Sequence, residues 1–101
     1  MNTGNLLDVN PILVDRIRLA IMAHLAVAEG LVDFNTLLQE LDLTKGNLST
    51  HMRKLEEAKL VKVTKEFVGR KPRTTYACTA SGKTELKRYL ATLENLLKDS
   101  L

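Results

Sequence analysis

The chain has no tryptophan, two phenylalanines, two tyrosines and one cysteine in its 101 residues. So few rings leave a core that must be largely aliphatic, which suits packed helices better than a β-sandwich. The single thiol, Cys78, excludes an intramolecular disulfide, points to a cytoplasmic protein, and reads as a small buried filler in a strand. Its two histidines, His24 and His51, lie far apart in sequence. Soft metals need several converging thiolate or imidazole ligands, so no metal and no cofactor is expected. No window approaches the ~18 apolar residues of a spanning helix. The opening MNTGNLLDVN has neither the basic segment nor the apolar run of a signal peptide, so no membrane partner is expected. Neither a Ser/His/Asp or Cys/His constellation nor a phosphate-binding glycine loop is visible, and the expectation is a binding protein rather than an enzyme.

Hydrophobic residues make up 45% of the chain and charged residues 27%, an ordinary globular balance with room for one domain and one modest core. The formal charge of +3 is unevenly spread. Residues 1–44 set Arg16 and Arg18 against six acids, and residues 74–101 are nearly balanced. Residues 45–73 set nine Lys or Arg against Glu56, Glu57 and Glu66. A basic middle third can be a solvated face, but here it coincides with an amphipathic helix and a cationic loop, which favours nucleic acid as partner.

That helix lies in LDLTKGNLSTHMRKLEEAKL, residues 41–60. Leu48, Met52 and Leu55 recur at i, i+4, i+7 and line one side of a helix over about 45–58. Thr44 stands where an N-cap is needed. Asn47, Thr50, His51, Arg53 and Lys54 fall on the opposite arc and can hydrogen-bond or carry charge. Such a helix suits the major groove of DNA. Gly46 can let a phosphate approach the helix start, or be no more than an imperfect helix residue.

Residues 1–9 show no periodicity and read as a flexible arm, leaving 10–101 as the single domain. Asn10-Pro11 is a helix start, with Asn as cap and Pro at the first helical position, and that helix should run to about Ala28. It is apolar on more than one stripe and so should bury two faces. Leu31-Val32 can form a very short strand, and Asp33 caps a second helix over 34–41. The helix-turn-helix thus spans 33–58. A wing over 60–79 follows: a strand at 60–68 with Val61, Val63 and Phe67 on one side, a cationic turn at Gly69-Arg70-Lys71-Pro72-Arg73, and a strand at 74–79. Capped by Thr79 or Ser81, a last helix runs to about Lys98, with Leu86, Leu90, Leu93 and Leu97 spaced 4, 3, 4 and Tyr89 and Leu96 beside them.

The segments FNTLLQELDLTKGNLSTHMRKLEEAKLVKV (34–63) and GRKPRTTYACTASGK (69–83) resemble the winged helix-turn-helix transcription regulators, in particular the small prokaryotic MarR/ArsR-like group. The resemblance implies a mainly α (α+β) fold with a two-stranded wing hairpin and long terminal helices forming a dimer interface. Carried over by position, it makes Thr44, Lys45, Asn47, Ser49, Thr50, His51, Arg53 and Lys54 of the third helix, with Arg70, Lys71 and Arg73 of the wing, candidates for DNA contact. Ile12, Leu13, Leu19, Leu86, Tyr89, Leu90, Leu93 and Leu97, on the helices at 11–28 and 80–98, are the candidates for a homodimer interface. A metal-sensing site is not expected, because the ligand cluster is missing.

The expected function is a homodimeric, sequence-specific regulator on double-stranded DNA with a pseudo-palindromic operator, a repressor because no activation domain is evident. Asn47, Thr50 and His51 are the candidates for reading base edges; Lys45, Lys54 and the wing cations are those for phosphates. Arg53 can do either, or pair with Glu57. An unknown small-molecule effector stays open as a further partner. Two alternatives also stay open: a winged-helix protein-interaction module of the transcription or replication machinery, and a non-specific DNA-coating protein.

Overall fold

A computed structural model of the protein describes residues 5–28 and 30–100, the last two without their side chains. Four α-helices and three strands follow the chain order α1 (Arg16–Ala28), β1 (Val32–Asp33), α2 (Phe34–Leu41), α3 (Lys45–Glu57), β2 (Val61–Val68), β3 (Lys71–Cys78) and α4 (Ala80–Ser100). The strands make one antiparallel sheet in the order β1-β3-β2. Leu13, Ile21, Met22, Leu25, Leu37, Leu48, Leu55 and Leu60, each at most 1% exposed, form a core of aliphatic side chains.

Local chemistry sets the helix ends. Asp33 accepts from the Thr36 N–H at 2.8 Å and starts α2. Asp42, in the left-handed region at φ 51°, ends it, and its own N–H and that of Leu43 return to the Leu38 carbonyl. Thr44 then accepts from the Asn47 N–H at 3.1 Å and starts α3. At the far end of α3, Lys59 adopts φ 63°; the Lys59 N–H bonds the Glu56 carbonyl and the Leu60 N–H bonds that of Leu55, a Schellman ending without glycine. The Thr79 hydroxyl donates to the Lys59 carbonyl at 2.8 Å and accepts from the Gly82 N–H at 2.9 Å, joining the end of α3 to the start of α4. Gly82 permits this: a Cβ there would overlap the Leu60 carbonyl oxygen and press on Met22 and Cys78.

The first helix differs from the sequence reading. Asn10 and Pro11 do start a helical turn, but it is a 3-10 turn over Pro11–Leu13 only. The α-helix begins at Arg16, with Asp15 accepting from the N–H groups of Ile17 (2.9 Å) and Arg18 (3.0 Å). A second cap five residues after the first breaks the element in two. The expected flexible arm also changes over its described part: Leu6–Asp8 form another 3-10 turn, and Val9 is buried. Residues 1–4 lie outside the described residues.

The second strand of the wing starts earlier and the turn is tighter than expected. Val68 pairs with Lys71, so only Gly69 (φ 67°) and Arg70 make the turn, and Pro72 stands in β3 opposite Phe67. In a two-residue hairpin the pair flanking the turn is hydrogen-bonded and the next is not. Pro72 therefore faces the outer edge with its missing N–H and breaks no bond to β2. Eight-residue strands carry this hairpin well beyond the core, and the molecule measures 55 × 24 × 21 Å.

Two of the expected dimer residues are corrected. Leu13 is 0% exposed and Leu86 6%, both within the protomer's own core, because the 3-10 turn folds Leu13 inward and the first turns of α4 lie on α1 and β3. Ile12, Leu19 and Tyr89 are half-buried against the same core, and Leu93 is half-buried on α4. Leu90 and Leu97 are the ones left open, each about half exposed. Cys78 is half-buried, and burial pushes its thiol up.

Candidate nucleic-acid interface

The inner face of α3 is held by Leu48, Met52 and Leu55, all at most 2% exposed. With that phase set, Thr44, Lys45, Gly46, Asn47, Ser49, Thr50, Arg53 and Lys54 are all exposed. Gly46 has nothing within 4 Å of where a Cβ would be, so the helix start is open. No acidic residue lies in its first turn. Beyond the Thr44 cap on the Asn47 N–H, the helix start and its positive dipole end carry no balancing charge from the first turn and, with Lys45 beside them, make an electropositive tip.

His51 does not join this surface. Arg18 donates from Nη1 to His51 Nδ1 at 3.1 Å, and Asp15 Oδ1 lies 3.8 Å from the same nitrogen. Arginine has only donors, so Nδ1 accepts and the ring proton sits on Nε2. The same guanidinium donates from Nε to the Ile12 carbonyl at 2.7 Å. His51 thereby braces α3 against α1 and the turn before it, and its side chain is 16% exposed. The N–H of Arg18, then its guanidinium charge, hold the Asp15 carboxyl below the usual carboxylate range. Of the three residues expected to read bases, Asn47 and Thr50 face outward and His51 faces α1.

The three wing cations are all exposed but not equivalent. Arg70 occupies the turn and Lys71 stands opposite Val68. Arg73 stands opposite Glu66 in the register, and its charge also acts on Asp33, whose carboxyl is held low chiefly by the Thr36 N–H and hydroxyl. Part of Arg73's charge is thus already balanced within the protein.

Between the helices and the wing runs an open groove of about 450 Å³ whose lining includes Asn35 of α2, Ser49 of α3, and Lys65, Arg73 and Tyr76 of the hairpin. A smaller one of about 220 Å³ continues it between α3 and β2, where Lys65 lies with Ser49 and Arg53. Burial, with the Glu56 charge adding, pushes the Tyr76 hydroxyl up, so it stays protonated near neutral pH. Lys65 and Asn35 are missed by the sequence reading. Strand alternation carries the signal for Lys65, since Val61 and Val63 already mark the inward face and Lys65 is next in that row; Asn35 has none, because only the fold brings the start of α2 to the wing.

Among the described residues no three His, Cys, Asp or Glu side chains converge on a metal-sized site, and no helix is long and apolar enough to cross a membrane.

A family model described as a winged helix DNA-binding domain matches residues 17–97. An uncharacterized protein of Methanocaldococcus jannaschii is 35% identical over 77 residues, which cover 74% of this chain and 84% of that protein. A solved structure of a transcriptional regulator homologue from Pyrococcus horikoshii OT3 is 36% identical, with a TM-score of 0.84 over 93% of this chain and 91% of its own. A PadR family transcriptional regulator from Eggerthella lenta shares the fold, at 23% identity and a TM-score of 0.66 over 84% of this chain and 82% of its own. With an outward polar helix pinned on leucines, a cationic hairpin beside it and a family match over most of its length, this chain belongs to the winged helix DNA-binding domain family.

Proposed function

We propose that the protein is a homodimeric, sequence-specific transcription regulator, a repressor, that binds a pseudo-palindromic operator in double-stranded DNA. The observation that carries this reading is the exposed polar arc of α3, set between an open helix start and the wing. Asn47 and Thr50 read base edges in the major groove, Asn47 by paired hydrogen bonds to adenine. Lys45, Lys54, Arg70 and Lys71 neutralise phosphates and supply the salt-dependent affinity, with Ser49, Lys65 and Arg53 along the groove between them.

Dimerisation is supported by what the core leaves uncovered. Val27 and Leu90 border an apolar groove of about 400 Å³ between α1 and α4, and Leu6, Leu7, Val14 and Tyr89 border another of about 350 Å³. A two-fold pairing through these faces would cover both and set two copies of α3 about 34 Å apart, one helical turn of DNA. Such a dimer represses by occupying a promoter. A DNA target and a lone half-buried thiol fit a cytoplasmic location.

Selection of genomic fragments with the purified protein, sequenced at moderate salt, tests the reading. Enrichment of one inverted repeat with half-sites about one turn apart is the expected result. Even recovery of all fragments would instead mark a DNA-coating protein, and no recovery a protein-interaction module.

A further inference from the structure

The tip of the wing carries a feature that phosphate contact does not explain. Phe67 is 74% exposed and Val68 55%, with Pro72 exposed across from Phe67. Single exposed apolar residues are ordinary, but a phenylalanine directly across from an exposed proline at the end of a projecting hairpin is a concentrated apolar point.

Its direction follows from the strand period. On β2 the row Val61, Val63, Lys65, Phe67 shares one face. Val61 and Val63 pack on the core, and Lys65 borders the groove opposite Ser49 and Arg53 of α3. Phe67 is the next member of that row, beyond the reach of the helices, on the side of the hairpin that looks toward α3. Lys65 precedes it on the same face and Arg70 lies in the turn beside it, while Lys71 and the nearest acid, Glu66, stand on the opposite face, across from Val68 and Arg73. An apolar point flanked by Lys65 and Arg70 complements a polyanion with an apolar interior more closely than it does a greasy protein surface.

We propose, resting on the DNA-binding reading above, that Phe67, with Pro72 across from it, is an apolar wedge that enters the minor groove beside the half-site read by α3 and unstacks a base step there. The cations hold the flanking phosphates while the ring enters, as apolar wedges do in proteins that bend DNA. Pyrimidine–purine steps unstack most readily, so the wedge adds a sequence preference at a position that α3 never touches.

The test uses the full chain and the enriched operator, carrying 2-aminopurine at successive flank positions. Wild type should raise the fluorescence at one step of each flank, and Phe67→Ala should abolish the rise and lower affinity about tenfold. Phe67→Leu should retain most of both effects, and the salt slope of all three should agree because the cations are intact. Since Phe67 is exposed, all three should melt alike. Duplexes trimmed inside the flank should bind wild type and Phe67→Ala equally. Equal affinity of wild type and Phe67→Ala on the long duplex, or no fluorescence rise with wild type, overturns the wedge while leaving the regulator reading intact. Absence of any site preference in the wild type overturns both.

Discussion

Two surfaces of this molecule lie outside the same small core and were left open for different chemistry. On α3, apolar residues are turned inward and the outer arc is polar and cationic; on the α1 and α4 side, Val27, Leu90 and Leu97 remain uncovered. The first surface offers charge and hydrogen bonds to something already hydrated, the second offers area to another apolar face. α4 contains both conditions in one helix: Leu86 is sealed at 6% exposure, and Leu97, three turns on, is 54% exposed because the helix has outrun the domain. Helical spacing treats the two leucines as equals. Only the distance to the nearest packed neighbour separates them.

Truncating each leucine to alanine separates the closed core from the open face. Leu86→Ala should cost roughly 2–5 kcal/mol of protomer stability as a cavity in a closed core. Leu97→Ala should stay within about 0.5 kcal/mol for the isolated protomer, yet raise the concentration at which the proposed dimer dissociates in sedimentation. Equal melting temperatures for the two variants would dissolve the distinction. Next in size, Gly82→Ala should destabilise by about 1–3 kcal/mol in a denaturant titration, since its methyl would meet a backbone oxygen that cannot step aside.

On the polar side the contrast lies within the wing. Arg70→Ala should flatten the salt dependence of DNA binding by nearly one phosphate contact, and Arg73→Ala by less, because Glu66 and Asp33 already balance part of its charge. Identical slopes would show that both cations are equally free. The smallest effect is in acid. Asp15 and Asp33 have carboxyls held below their ordinary value, so their stabilisation is full above about pH 4 and is lost as pH falls through their lower folded values. Asp15→Asn and Asp33→Asn together should reduce the slope of stability against pH in that window and leave it unchanged near neutrality.

Much of the fold was legible because it rests on local chemistry. The caps Asp33 and Thr44, the i, i+4, i+7 row of α3 and the breaker Gly69 each act within a few residues, and α2 and α3 begin where those signals stand. The first helix shows how a local signal misleads when two compete. Asn10-Pro11 is a sound start, but Asp15 is a second one, and the chain used the first for a single turn. The hairpin turn was overestimated because proline reads as a breaker, although an outward-facing position in a strand accommodates it.

His51 marks where local reading ends. Its place on α3 is correct to within the helix phase, near the boundary between the inner and outer arcs, and chemistry alone makes it a fair reader of bases. Arg18, 33 residues earlier in the chain, turns it toward α1. The sequence by itself determined the elements, their caps and the cationic middle third, since torsional preference, capping and periodicity are settled by near neighbours. Tertiary structure alone decided which leucines of the terminal helices are core, which histidine nitrogen is engaged, how far Arg73 is already balanced and which way Phe67 points. Those depend on burial and electrostatics between residues that meet only after the chain has folded.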